Sequence, residues 1–362
     1  MRGVMNWIKV IFRWVMYAIY LLMVVGVVLE IIFRLLPTTA PIDLQPITDK
    51  TDILRFQPNE ETTFSLGKDF YQVVEKSTNN YGFYSSYDYL PNIEPNIVVV
   101  GDSYVEAAQI RNQDSIGEVL QSENPNLIVY QIGVSGVPLS QYIQMIRYAK
   151  SEFSAQHYVI VVVGNDFDQS LCSYRRKEGT WCFNTDYELA FIPFDGYSLK
   201  RQMGRSSAFI RYLVFQGGLD WRNILARFGM NDAGLAASSL YAGNTERMKS
   251  DEITAKSRRV ITRSFEELVD MDLTSKVTII LDADRNDIYQ NKSTDSYFND
   301  MRRFMIESAV ANNVSYIDMD PIFREDFSVF GERFEFRTDG HWNERAHRLA
   351  AQRLAKQILS QR

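Results

Sequence analysis

The sequence is poor in the residues that build metal centres and disulfide scaffolds: its 362 residues include two cysteines and three histidines. Cys172 and Cys182 bracket a polar stretch with no histidine near it, so metal binding by that pair is not expected. No metal or cofactor is expected elsewhere. Positive charge is not in excess either. The net charge is -6, and no basic run is long enough to make nucleic acid the main partner. Internal repeats and low-complexity tracts are missing. What remains is a globular composition, 46% hydrophobic and 23% charged. The 20 Tyr and 22 Phe suit a sugar- or acyl-binding cleft and an ordinary core equally well.

One long apolar run stands at the N-terminus. Trp14 to Leu29 is unbroken, and the run continues through Ile31, Ile32 and Phe33 past Glu30. About 20 such residues span the hydrocarbon core of a bilayer as a helix. Glu30 lies near the far end, where a carboxylate reaches the interface at modest cost. Arg2, Lys9 and Arg13 precede the run, and beyond Arg34 the next residues carry Asp43 and Asp49 but no Lys or Arg. The positive-inside rule then leaves residues 1–13 in the cytoplasm, makes 14–36 a single anchor in the lipid bilayer, and puts the rest outside the membrane. A cleaved signal peptide is the rival reading, disfavoured by the length of the run and by Pro41 directly after Thr38-Thr39-Ala40. In an oxidising compartment Cys172 and Cys182 read as a disulfide closing a loop, with two unpaired thiols as the alternative.

Residues 37–74 read as a linker or lead-in, and the periodicity changes at Asn96. Ile97 to Val100 is a short, wholly apolar, β-branched run of the kind buried on both faces of a parallel sheet. Similar runs recur at Leu127 to Ile132, Tyr158 to Val163, Val277 to Leu281 and Val314 to Ile317. Helix-period stretches lie between them: Ser115 to Gln121, Leu139 to Phe153, Ser257 to Val269 and Tyr297 to Ala311. A last helix is capped by Asn343, with Ala346, Leu349, Ala350, Leu354 and Ile358 on one face. The alternation predicts an α/β fold over residues 75–362, a mainly parallel five-stranded sheet with helices on both sides. Ligands of such sheets bind beyond the carboxyl ends of the strands. The stretch 167–256 between the third strand and the next helix is too long for a crossover. It reads as a cap or substrate-binding insertion, with a decorative surface insertion as the alternative.

Four loops at strand ends then line up. They are Gly101-Asp102-Ser103-Tyr104, Gly133-Val134-Ser135-Gly136, Gly164-Asn165-Asp166 and, before the last helix, Asp339-Gly340-His341-Trp342. Acyl transfer from an ester needs a nucleophile, a base, a group orienting the base, and donors for the oxyanion. Ser103 sits where a buried strand turns toward a helix. Its own N–H, the N–H of Gly136 and the side-chain amide of Asn165 can serve the oxyanion. Of the three histidines, His157 precedes a strand at the wrong end of the sheet, and His347 falls within the last helix. His341 alone lies in a loop of the right kind, two residues after Asp339, which can fix its tautomer.

These segments resemble blocks I, II, III and V of the SGNH (GDSL) hydrolase superfamily, in that chain order, over roughly residues 75 to 360. Asn80-Tyr81-Gly82-Phe83 is similar to a lead-in seen in many such proteins. The resemblance implies a flavodoxin-like three-layer sandwich, with Ser103 as nucleophile, Asp339 and His341 completing the triad, and Ser103, Gly136 and Asn165 forming the oxyanion hole. Three positions depart from the pattern. Val163 replaces a block III glycine, Tyr104 replaces the usual leucine after the serine, and Asp339-Gly340-His341 is one residue shorter than the usual Asp-x-x-His. Gly340 is expected to supply the backbone freedom that compensates. If it does not, Asp339 merely caps a turn and the site is degenerate. A similar Asp-x-His-Trp pattern occurs in bacterial polysaccharide O-acetyltransferases.

The resemblance implies a serine esterase; with the N-terminal anchor and the aromatic-bearing insertion, the expectation is a membrane-anchored extracytoplasmic enzyme acting on a small ester or removing acetyl groups from a cell-envelope glycan. The alternatives are an O-acyltransferase served by a membrane acyltransferase partner, and a catalytically degenerate scaffold.

Overall fold

The computed structural model describes residues 2–45, 47, 53–194, 205–217 and 248–360. The chain forms two compact units: one from residues 1–41, 63–73 and 197–232, the other from 42–62, 74–196 and 233–362.

In the first unit, helix α1 (Arg2–Arg34) starts well before the apolar run. Its stretch Lys9–Arg34 is long and apolar enough to cross a membrane. Glu30 is not left at a free end. It pairs with Arg34 at 2.8 Å and accepts from Ser207 Oγ at 2.7 Å and from the N–H groups of Ala208 and Phe209 at 3.1 and 3.2 Å. Phe33 packs on Phe209 and Tyr212, with ring centroids 5.4 and 4.3 Å away. Part of the long insertion thus returns to the end of α1, where four donors satisfy one carboxylate.

The stretch read as a linker contains a two-stranded sheet, β1 (Glu61–Leu66) with β2 (Gln72–Ser77). The second unit carries the five parallel strands that the apolar runs predict: β3 (Ile97–Gly101), β4 (Val129–Gly133), β5 (His157–Val162), β8 (Val277–Leu281) and β9 (Ser315–Asp318). Between β5 and β8 the short pair β6 (Trp181–Phe183) and β7 (Leu189–Phe191) lies inside the insertion. The large sheet has the order β4-β3-β5-β8-β9, so its strand order reverses beside β3, the strand that delivers Ser103.

Alternation along the strands divides the core into two layers. Val98, Val100, Tyr130, Ile132, Ile160 and Val162 face one side, with α4 (Leu139–Phe153), α7 (Asp251–Asp270) and α9 (Tyr297–Ala311) packed there. Ile97, Val99, Val129, Val159 and Val161 face the other, against α3 (Ile116–Glu123), α10 (Met319–Phe330) and α11 (Glu344–Leu359). This is the expected three-layer α/β sandwich. Asn343 caps α11, accepting from Ala346 N–H at 3.2 Å. Its buried stripe of Ala346, Ala350, Leu354 and Ile358 is the predicted face, with Leu349 only partly buried. Helix α7 begins six residues earlier than its apolar period suggests, because Ser250 caps it and the acids Asp251 and Glu252 open its first turn. Helix α10 was not legible in the sequence: it follows β9 without a loop, Asp318 ending the strand and capping the helix at once.

Candidate active site

The site is assembled at the carboxyl ends of the first three parallel strands. Strand β3 ends at Gly101, and Asp102 caps the short helix α2 (Ser103–Glu106), accepting from Tyr104 N–H at 2.9 Å. Ser103 is therefore the first residue of a helix, and its N–H donates to no protein acceptor among the described residues. Its Oγ donates to Asp102 Oδ2 at 3.3 Å, and no hydrogen bond joins it to His341. Gly136, after β4, has φ of 69°, a left-handed backbone that favours glycine, and its N–H is likewise uncommitted among the described residues. Asn165, after β5, caps helix α5 (Asp166–Gln169) and is buried, with Oδ1 making no hydrogen bond.

Asp339 and His341 form a tight pair. Asp339 Oδ1 lies 2.5 Å from His341 Nδ1 and accepts the His341 backbone N–H at 2.8 Å. Burial alone would lower the imidazole pKa, but the Asp339 carboxylate, its hydrogen bond and the more distant Asp102 outweigh it, so the net shift is upward. Asp339 moves the opposite way. Burial raises it, and the attraction and hydrogen bonds of His341 bring it below the ordinary carboxylate range. The two shifts agree on an ion-pair-like contact. Gln109 closes the far side, its Nε2 lying 3.4 Å from Asp339 Oδ2 and 2.9 Å from His341 Nδ1.

The shortened loop is not held by an unusual glycine backbone, contrary to expectation: Gly340 does not adopt a positive φ. Tyr104 holds it instead. The Tyr104 hydroxyl donates to Gly340 C=O at 3.1 Å and accepts from Arg285 Nη2 at 2.7 Å. Its ring lies 5.3 Å from that of His341. Arg285, in α8 (Arg285–Tyr289), is itself buried against Asp282 at 3.3 Å and Glu335 at 3.7 Å. Asp282 also accepts from Trp342 Nε1 at 2.8 Å. An antiparallel bridge between Glu335 and Trp342 closes the loop. Two of the three departures from the family pattern are thus in contact, the tyrosine after the serine and the short Asp-x-His loop.

Beneath the nucleophile position lie buried acids whose roles sequence reading missed. Burial raises Asp102 to about 6, against the pull of Tyr104 N–H and His341. Asp166 is raised well above the ordinary range by burial and by its neighbour Asp102. Its carboxylate accepts from Tyr142 OH at 2.9 Å and Val163 N–H at 2.8 Å. Glu106, also raised by burial, accepts the N–H of Ser135 in the Gly136 loop. The signal for Asp102 and Asp166 was their place inside blocks I and III. Nothing in the sequence pointed to Glu106, Gln109 or Tyr142, whose partners are 24 or more residues away in the chain.

The other two histidines stand apart. His157 opens β5 and contacts Thr278 Oγ1 at 2.9 Å, at the end of the sheet away from the site. His347 is buried in α11, its pKa lowered by burial to about 3. Cys172 and Cys182 are joined by a disulfide, their Cα atoms 5.1 Å apart.

Residues 241–362 match the family described as the SGNH hydrolase-like domain, acetyltransferase AlgX. No curated protein sequence matches the chain. Similar solved structures include the lipase/acylhydrolase from Enterococcus faecalis, at 10% identity and a TM-score of 0.39, covering 74% of this chain and 96% of that one. An acetyl xylan esterase, AlAXEase, gives 13% identity and 0.39, covering 72% and 99%. LAE5, an alpha/beta hydrolase from the metagenome of Lake Arreo, Spain, gives 11% and 0.40, covering 74% and 97%. The family match takes in the Asp-x-His segment, and the parallel sheet whose first three strands end in the serine, glycine and asparagine blocks is the fold that the sequence resemblance implies.

Proposed function

We propose that the protein transfers acyl groups through Ser103, and that it acts as an esterase on acetyl groups of a cell-envelope glycan. The observation that carries this reading is the Asp339–His341 contact, a carboxylate 2.5 Å from Nδ1. That contact occupies Nδ1 and leaves Nε2 as the base. Rotation of the Ser103 side chain turns Oγ from Asp102 toward Nε2. Oγ then attacks the ester carbonyl as its proton passes to Nε2. The oxyanion that forms is met by the N–H groups of Ser103 and Gly136 and by the Asn165 amide. Collapse breaks the bond to the alcohol oxygen, which leaves with the proton from Nε2. Water, deprotonated by the same imidazole, releases the acid and restores Ser103. The apolar helix Lys9–Arg34 supports a single-pass anchor, with the positive residues at its start supporting a cytoplasmic N-terminus.

A second reading keeps the acyl-enzyme and replaces water by a sugar hydroxyl. The match over residues 241–362 to a family described as an acetyltransferase favours it. One experiment separates the two. The full chain, in detergent, is given an acetyl ester donor with and without an added oligosaccharide, and the acetyl group is traced. Release as acetate regardless of the sugar supports the esterase. Transfer to the oligosaccharide in preference to water supports the transferase. No turnover of any acetyl ester overturns both.

A further inference from the structure

The loop carrying Gly136 is gripped at both ends of a single residue. The buried carboxylate of Glu106 accepts the N–H of Ser135, and the ammonium of Lys177 donates to the C=O of Ser135 at 2.5 Å. Glu106 is backed in turn by Lys76, a buried amine that burial lowers to about 7 and that donates to Glu106 C=O at 3.3 Å. Lys177 belongs to the segment between Cys172 and Cys182 that the disulfide closes. Its own backbone is fixed as well, its C=O accepting from Thr180 Oγ1 at 2.7 Å and from Thr180 N–H at 3.3 Å. A side chain at Gly136 would meet Lys177 Nζ at 3.4 Å, so the cation stands beside this peptide and not at a distance.

The Ser135–Gly136 peptide is planar and trans, so its C=O and N–H point in opposite directions. Whatever fixes the carbonyl fixes the direction of the Gly136 N–H. A cation on the carbonyl oxygen also draws electron density from the peptide nitrogen, which strengthens the N–H as a donor to a developing anion. We propose that Lys177 is a positioning residue for acyl transfer: through the Ser135 carbonyl it aims and polarises the Gly136 N–H at the oxyanion. The insertion then serves the chemistry directly, with the Cys172–Cys182 disulfide holding the clamp in place. This rests on the reading of Ser103 as the nucleophile.

The test uses the full chain with K177M and K177R. Acetyl ester kinetics are expected to show a fall in kcat of about tenfold to a hundredfold for K177M, below the loss of a whole donor. KM should stay within about twofold, because the lost interaction strengthens only in the transition state. K177R should recover most of the rate. The clamp has a second readout that needs no turnover. Ser135-Gly136 is the only Ser-Gly step in the sequence, so labelling with carbonyl-13C serine and 15N glycine isolates one amide signal. That signal should move in K177M and return in K177R. An unmoved signal, an unchanged kcat, or a KM that rises alone would each overturn the proposal. A signal that moves in a chain that turns over no ester would overturn the acyl-transfer reading and not the clamp.

Discussion

One oxygen of Asp339, Oδ1, accepts the backbone N–H of His341 at 2.8 Å and lies 2.5 Å from its Nδ1. The carboxylate therefore holds the turn and the imidazole together, and in the proposed mechanism this contact does the work of the usual longer spacing. Replacing it with asparagine keeps the shape and presents a neutral group to Nδ1. D339N is expected to lower kcat by about two to four orders of magnitude, with the fold intact by circular dichroism. A loss of less than tenfold would contradict a role in holding the imidazole.

The same pair sets the pH dependence. In the proposed mechanism His341 works as a neutral base, and Asp339 together with Asp102 favours its charged form over the penalty of burial. The rising limb of kcat/KM against pH should therefore have its midpoint above the ordinary histidine value of about 6.5. In D339N the main opposing charge is gone and the limb should move to lower pH. A midpoint that stays put in D339N would show that another group controls the profile.

Tyr104 is expected to matter through Gly340. Y104F removes the hydroxyl that links Arg285 to the Gly340 carbonyl, leaving both short of a partner. Urea unfolding should show a loss of about 1–3 kcal/mol. The rate should fall about tenfold, since a small displacement of the imidazole is costly. Full stability and rate in Y104F would mean that the Glu335–Trp342 bridge holds the loop alone.

The layers of this fold were legible because parallel strands buried on both faces leave an unmistakable pattern. Ile97 to Val100 and Val277 to Leu281 can lie nowhere else, and the longer helices between them, α3, α4 and α7, show their own period. Helix α10 was not legible because it follows β9 without a loop, and the hairpin within 61–77 was not because its strands are only 6 residues each and alternate poorly. At the candidate site, Ser103, Gly136, Asn165, Asp339 and His341 were singled out by the loops that carry them. Their supports did not. Gln109, Glu106, Arg285 and Lys177 contact residues 29 to 232 positions away, and no local pattern encodes such partners.

The disulfide between Cys172 and Cys182 closes a loop with a sequence separation of 10 residues. Replacing both cysteines by serine should destabilise the protein by about 3 kcal/mol if the closed loop is unrestrained when unfolded. Chemical unfolding of the two forms measures this directly. A difference near zero would mean that β6 and β7 hold the loop without the bridge.

The claim on which all of this depends is that Ser103 is a nucleophile. The most direct measurement is covalent labelling of the full chain by a serine-reactive phosphonate, read by intact mass and peptide mapping. The account predicts one adduct per chain, on the peptide containing Ser103, slowed in D339N and lost in S103A. A folded wild-type chain that takes up no phosphonate, or one labelled equally in S103A, would contradict it.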